Sequence, residues 1–183
     1  GITYMVLQPK DIDGIAKDIE LLGKVTDTEN RAKKLIKDIQ DRISHILNRV
    51  KDAPRVRVFY VFDATDLNKP WTAGSGSFID SLFAMAGGKN IAAEAKGAWV
   101  QFNIEVIVHS DPEIILVDAS HGSAVISKAE LEEHPAWRGI TAVKQGRIHT
   151  IDGDLVNRPG PRIVQGLEEI AEIIHPELFK EDW

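Results

Sequence analysis

Residues 26–62 read TDTENRAKKLIKDIQDRISHILNRVKDAPRVRVFYVF, and the hydrophobic period changes once within them. Up to Val50, the residues Ala32, Leu35, Ile36, Ile39, Ile43, Ile46, Leu47 and Val50 recur at helical spacing. Thr26 and Glu29 ahead of them have the T-x-x-E form of a capping box. The spacing predicts one amphipathic helix about 35 Å long. Pro54 stops it, and the β-branched and aromatic run RVRVFYVF (55–62) then reads as a strand.

Working outward, ITYMVL (2–7) reads as a short buried strand. QPKDIDGIAKDIELLG (8–23) reads as a helix with Ile12, Ile15, Ile19 and Leu22 on one face and Gly23 as its stop. Downstream, Phe78, Ile79, Leu82, Phe83 and Ala86 predict a helix ending at Gly87-Gly88. FNIEVIVHSDP (102–112) is a short helix capped by Asn103, and EIILVDA (113–119) a buried parallel strand. SKAELEEHP (127–135) is a helix with a Ser127 to Glu130 capping box, and GRIHTID (146–152) the last strand. PGPRIVQGLEEIAEIIHP (159–176) is the final helix, with Pro161 near its start and Pro176 beyond its end.

Strands alternating with helices predict an α/β fold, a parallel-sheet three-layer lobe preceded by one long amphipathic helix. In such sheets ligands bind beyond the carboxyl ends of the strands. Three loops follow strands, Asp63 to Ser77, Asp118 to Ser127 and Asp152 to Pro161, so the topology gathers them on one edge.

Composition excludes several functions. With 183 residues, 43% hydrophobic and 27% charged, the chain is long enough for one domain burying roughly 70% of its unfolded surface. A net charge of -6, with Lys and Arg interspersed among Asp and Glu, argues against nucleic acid as a partner. No cysteine is present, which removes disulfides, thiol catalysis and Cys-ligated zinc. No apolar run approaches the roughly 20 residues of a membrane span, and Gly1 to Tyr4 lacks the features of a signal peptide.

The motifs are read against their plain structural alternatives. Gly74-Ser75-Gly76-Ser77 lacks the third glycine of a dinucleotide fingerprint and the Gly-Lys-Ser/Thr of a P-loop. It either greets an anionic or carbonyl-bearing ligand at a helix N-terminus, or Ser77 only caps that helix. The six histidines are scattered, with none at i, i+4, so no protein metal site is expected. His121 lies on a ligand-edge loop, and Ser123 lacks the G-x-S-x-G context of a hydrolase nucleophile. Arg158 and Arg162 flank a Pro-Gly-Pro turn, where they either clamp a carboxylate or phosphate or hold the turn. Trp71 and Trp99 flank the same edge, either to stack on a planar ligand or to anchor the core.

LGKVTDTENRAKKLI, the long helix, WTAGSGSFIDSLFAMAGGKNIA, IEVIVHSDPEIILV and RPGPRI occur in this order. As an ordered set they resemble the cobalamin- and siderophore-type periplasmic substrate-binding proteins of ABC importers. The resemblance implies two α/β lobes joined by a long helix, here Asn30 to Lys51, with an iron siderophore, haem or corrinoid chelate held between them. It assigns residues 1–25 to the tail of a first lobe otherwise absent, 26–53 to the interlobe helix and 54–183 to the second, ligand-binding lobe. Without the first lobe or a second copy of the chain, Ile2, Tyr4 and Val6 are expected to be exposed.

By the same resemblance the ligand contacts fall on Trp71, Thr72, Ser75, Gly76, Trp99, Arg158 and Arg162, with Tyr60 and His121 behind them. Glu105 matches a surface glutamate that docks on arginines of the permease. The implied protein is not an enzyme, has no resident cofactor, and works outside the cytoplasmic membrane, lipid-anchored in its full-length form. The alternative is an α/β enzyme subunit or sensor domain of nitrogenase-like lobe fold.

Overall fold

Helical periodicity runs unbroken from Glu29 to Val50, and the strand that follows Pro54 lies at the centre of a four-stranded sheet. The computed structural model describes residues 4–119 and 126–180. In chain order the elements are α1 (Ile12–Val25), α2 (Glu29–Val50), β1 (Val56–Val61), β2 (Trp71–Ala73), α3 (Phe78–Met85), β3 (Gly88–Asn90) and β4 (Trp99–Gln101). They continue with α4 (Ile104–Ser110), β5 (Ile114–Asp118), α5 (Lys128–Glu133), α6 (Thr141–Lys144), β6 (Ile148–Ile151), α7 (Gly153–Val156) and α8 (Ile163–Ile174).

The main sheet has the order β3-β1-β5-β6, with every pairing parallel. Register pairs Val58 with Ile114 and Ile115 with Ile148, so alternate residues of β1 and β5 face opposite sides. Val58, Tyr60, Ile114 and Leu116 join a core completed by Ile39 and Ile46 of α2, Leu82 of α3 and Leu167 of α8. Phe59, Val61, Ile115 and Val117 join a second core with Ile107, Leu131 and Trp137. Burial on both faces is why these strands read as continuous apolar runs, and it makes the three layers. Each fully buried aliphatic side chain contributes roughly 1.5–3 kcal/mol. The indole of Trp137 donates to the Leu67 carbonyl at 2.9 Å, tying the loop after β1 onto the second core.

The beginning of the chain departs from expectation in three places. Residues 4–9 form no strand, since among the described residues no strand lies beside them to supply a ladder; Tyr4, 83% exposed, and Val6 stand open as expected, and Met5 with them. Ile2 lies outside the described residues. Gly23 is not a stop: α1 continues to Val25, and a Cβ on Gly23 would sit 2.6 Å from that of Ala32, so the glycine is what lets α1 and α2 touch. The Thr26 to Glu29 capping box does not form, because α2 starts at Glu29 itself; the Thr26 hydroxyl donates to the Leu22 carbonyl at 2.7 Å and closes α1 instead. Thr28 then stands at the N-cap of α2, after Asp27 with φ 54°.

The other predicted caps are in place. Asn103 accepts from the Glu105 N–H, and Ser127 and Glu130 make both bonds of the capping box. Gly87, at φ 84°, follows α3 in the left-handed conformation, and Gly88 opens β3 rather than ending a helix. Among the described residues no helix is long and apolar enough to cross a membrane.

Candidate ligand-binding edge

The carboxyl ends of the strands are bound together by a buried polar cluster. Tyr60 near the end of β1 donates from its hydroxyl to Oδ2 of Asp118, the last residue of β5, at 2.7 Å. Asn157, just past α7, donates from Nδ2 to the same oxygen at 2.7 Å and to the Tyr60 hydroxyl at 3.1 Å. Tyr60 and Asp118 are almost completely buried. Burial, and then the adjacent carboxylate, raise the Tyr60 phenol far above the ordinary tyrosine range, so it stays a donor. The cluster therefore ties the ends of β1 and β5, where the first two predicted loops begin, to Asn157 within the third. Of the middle loop, residues 120–125, with His121 and Ser123, lie outside the described residues.

Beyond β1 the chain makes a two-stranded antiparallel ribbon, β2 with β4, in which Trp71 pairs with Gln101 and Ala73 with Trp99. Trp71, Ala73, Trp99 and Gln101 consequently share one face of the ribbon, and Thr72 and Val100 the other. Trp71 and Trp99 are each 41% exposed. The Trp99 ring is supported from behind by Phe62, with centroids 4.8 Å apart, and by Tyr60 at 6.4 Å. Trp99 thus combines the two readings, a half-anchored ring with an open face. Thr72, expected to touch ligand, has a fully buried side chain on the opposite face.

The Gly-Ser loop holds itself together with its own hydroxyls. Ser75 Oγ donates to the Ala95 carbonyl at 2.8 Å, and Ser77 Oγ donates to the Gly74 carbonyl at 2.8 Å while accepting from the Asp80 N–H. Ser77 is the cap of α3. The two glycines serve different needs. A Cβ on Gly74 would lie 2.4 Å from the Gly97 carbonyl oxygen, so the site demands close backbone approach. Gly76 sits at φ 79° with open space around it, so there it is the left-handed backbone that calls for glycine. Asn90 pins the loop from below, donating to the Ala73 carbonyl and to Asp80 Oδ1, both at 2.9 Å.

Gly76, Phe78, Trp99 and Asn157 line a cavity of about 280 Å³, to which Pro9 and Lys10 ahead of α1 also contribute. Arg158 lies next to Asn157, exposed and in an ion pair with Asp154 at 2.9 Å. Arg162 is exposed at the N-cap of α8. Glu105, in the first turn of α4, is exposed beside Val106 and Val108. The structure thus gathers the Gly-Ser loop, Trp99 and the Asn157 corner around one cavity, with Trp71 on the same ribbon face, and sets Glu105 apart on a helix. Sequence reading passed over Asp118, Asn157 and Lys10. The first of these had a signal, an acid closing an otherwise apolar strand in EIILVD; Asn157 and Lys10 had none. Among the described residues no group of His, Asp and Glu is arranged to hold a metal ion.

The profile of the periplasmic binding protein family matches residues 2–155. The chain belongs to that family. An uncharacterized ABC transporter substrate-binding lipoprotein of Bacillus subtilis, YvrC, is 32% identical over 184 residues, which cover 99% of this chain and 56% of the relative. A cobalamin-binding protein of Halobacterium salinarum is 31% identical, over 96% of this chain and 48% of its own length. Among solved structures, a possible iron-binding periplasmic solute-binding protein of Staphylococcus epidermidis superposes with a TM-score of 0.81 at 28% identity, over 96% of this chain and 67% of that one. This periplasmic binding protein chain spans about half the length of the curated relatives it matches.

Proposed function

We propose that this chain supplies the ligand-binding lobe and connecting helix of an ABC importer's substrate-binding protein. It captures a metal chelate, an iron siderophore, haem or corrinoid, and delivers it to the permease outside the cytoplasmic membrane. The observation that carries this reading is the cavity at the carboxyl edge, walled by the half-exposed Trp99 and the Gly-Ser loop, in a chain of this family. An aromatic face beside a few fixed polar groups suits a large planar or macrocyclic ligand. The names of the relatives, cobalamin-binding among them, support the same class.

In this reading Trp71, Trp99, Ser75 and Gly76 form one wall of the cleft, and Arg158 and Arg162 stand at its rim. Thr72 contributes through the ribbon it anchors. Residues 26–53 connect the lobes, residues 54–183 form the ligand lobe and residues 1–25 close a preceding one. Glu105 faces the permease. The protein acts by binding and release, with no chemical turnover and no resident cofactor, and a lipid anchor holds it at the membrane.

The test is mass spectrometry of small molecules retained by the purified native protein, followed by calorimetric titration with cyanocobalamin, haemin and ferric siderophores. Saturable binding of one of these at micromolar concentration or below is expected. Catalytic turnover of a small molecule with no chelate bound would replace this reading with the enzyme one.

A further inference from the structure

We infer that the cavity at the carboxyl edge selects an anionic chelate, and that Lys10 is the residue that makes this selection. The inference rests on the ligand-lobe reading above. Among the described residues that line the cavity, Lys10 carries the one charged side chain, and it shares that lining with Trp99 and Asn157. It is exposed and, among the described residues, has no carboxylate partner. Arg158, by contrast, is already paired with Asp154 at 2.9 Å, so its charge is in part neutralised before any ligand arrives.

The backbone that presents Lys10 is held on both sides. Pro9 packs on the first turn of α1, where a Cβ on Gly14 would lie 3.1 Å from its own. Asp11 caps the same turn, its Oδ1 accepting from the Gly14 N–H at 2.7 Å. A lysine so placed offers a mobile ammonium from a fixed root, a point charge able to meet a carboxylate or phenolate in several orientations.

Elsewhere in the lining, Asn157 suits a different group. Asn157 spends its amide N–H groups on Asp118 and the Tyr60 hydroxyl, and the single Tyr60 proton goes to Asp118 at 2.7 Å. The buried Asp118 charge is thereby held by donors, and the carbonyl of Asn157, only 3.4 Å from a Tyr60 hydroxyl whose proton is directed to Asp118, keeps capacity to accept from a ligand N–H or O–H. The complementary ligand is negative on the side it turns to Lys10, aromatic or broad where it meets Trp99, and carries a donor for Asn157. A ferric catecholate and a haem with its propionates have the required charge. An uncharged corrinoid does not.

The experiment titrates the native protein and its Lys10→Gln and Lys10→Arg variants with a ferric tris-catecholate, haemin and cyanocobalamin, at low and high salt. Lys10→Gln is expected to weaken binding of an anionic probe about tenfold. It should also remove most of the salt dependence, and Lys10→Arg should restore both. Anionic probes bound equally well by the wild type and Lys10→Gln would overturn the inference while leaving the chelate-binding reading in place. So would tight binding of cyanocobalamin with no binding of either anion. Failure of all three probes to bind would remove the chelate reading itself, and the inference with it.

Discussion

Arg42 of α2 and Glu168 of α8 meet in a two-pronged ion pair, Nε to Oε1 at 2.7 Å and a terminal guanidinium nitrogen to Oε2. They lie 126 residues apart in sequence and are partly shielded from water, and the carboxylate raises the guanidinium pKa further. Arg42→Ala is expected to cost about 1–2 kcal/mol, more than an open surface pair because two directed bonds go with it. Urea unfolding checks this through a lower midpoint at unchanged slope. Arg42→Lys should recover only part of the loss, since an ammonium cannot make both prongs at once.

The Tyr60 phenol, raised by burial and by Asp118, gives stability a defined pH dependence. Because the folded value exceeds the unfolded one, the contribution is complete below the unfolded tyrosine range near about 10 and is lost as pH rises above it. Tyr60→Phe should flatten that alkaline decline and, by leaving the buried Asp118 without one of its donors, lower stability near neutrality by about 1–3 kcal/mol. Denaturant titrations across neutral and alkaline pH measure both effects. An alkaline slope identical in the two proteins would show that Tyr60 ionises alike in the folded and unfolded states.

Gly74 and Gly76 should answer differently to the same substitution. Gly76→Ala meets open space and faces only its φ of 79°, a cost of about 1 kcal/mol. Gly74→Ala sets a methyl 2.4 Å from the Gly97 carbonyl oxygen and forces the loop off β4, so its thermal midpoint should fall further. Its chelate affinity should fall as well, because Gly74 and Ala98 are joined by a 3.0 Å backbone bond next to Trp99.

Glu105 tests the partner. Its side chain is exposed, and its backbone N–H is satisfied by the Asn103 cap at 2.8 Å. Glu105→Ala should therefore leave fold and chelate binding intact and cost at most about 0.3–1 kcal/mol from the helix dipole. Uptake assays are expected to show transport lost, more completely for Glu105→Arg, because an exposed charge at an interface sets docking rate and orientation. Transport by Glu105→Arg equal to that of the parent would leave the residue only its place in the helix.

What was legible in the sequence was whatever burial imposes on many residues at once. β1 and β5 are covered on both faces and left unbroken apolar runs, and α2 buries one stripe and left a helical period. β2 and β4, three residues each, are too short to show a period, although together they carry Trp71 and Trp99. The Thr26 motif misled because a threonine can close a preceding helix as well as open the next, and here its hydroxyl donates to the Leu22 carbonyl while Thr28 takes the N-cap of α2. ITYMVL has the composition of a strand, but a strand also needs a neighbour to bond to. In the binding edge, residue type drew attention to the tryptophans and arginines. Asn157 and Lys10 matter through where the fold brings them, across 147 positions in the chain, and no local pattern records that.

The close contact between Gly23 and Ala32 leaves no room for another methyl and makes the turn from α1 to α2 a tight elbow, with Ile15, Ile19 and Ile39 buried in the core that both helices share. One arm is bolted to the lobe, at Arg42 by Glu168 and near its far end by the bond from Arg49 to the Leu178 carbonyl. The other arm, α1, has Lys10 and the cavity wall at its tip. A lever about 20 Å long therefore runs from the elbow to the binding edge. A tilt of about 10° at Gly23 would carry Lys10 some ~3–4 Å, enough to break any contact with a ligand. A methyl added at Gly23 would thus be felt at a distance, as a displacement of Lys10 and of the cavity lining it belongs to.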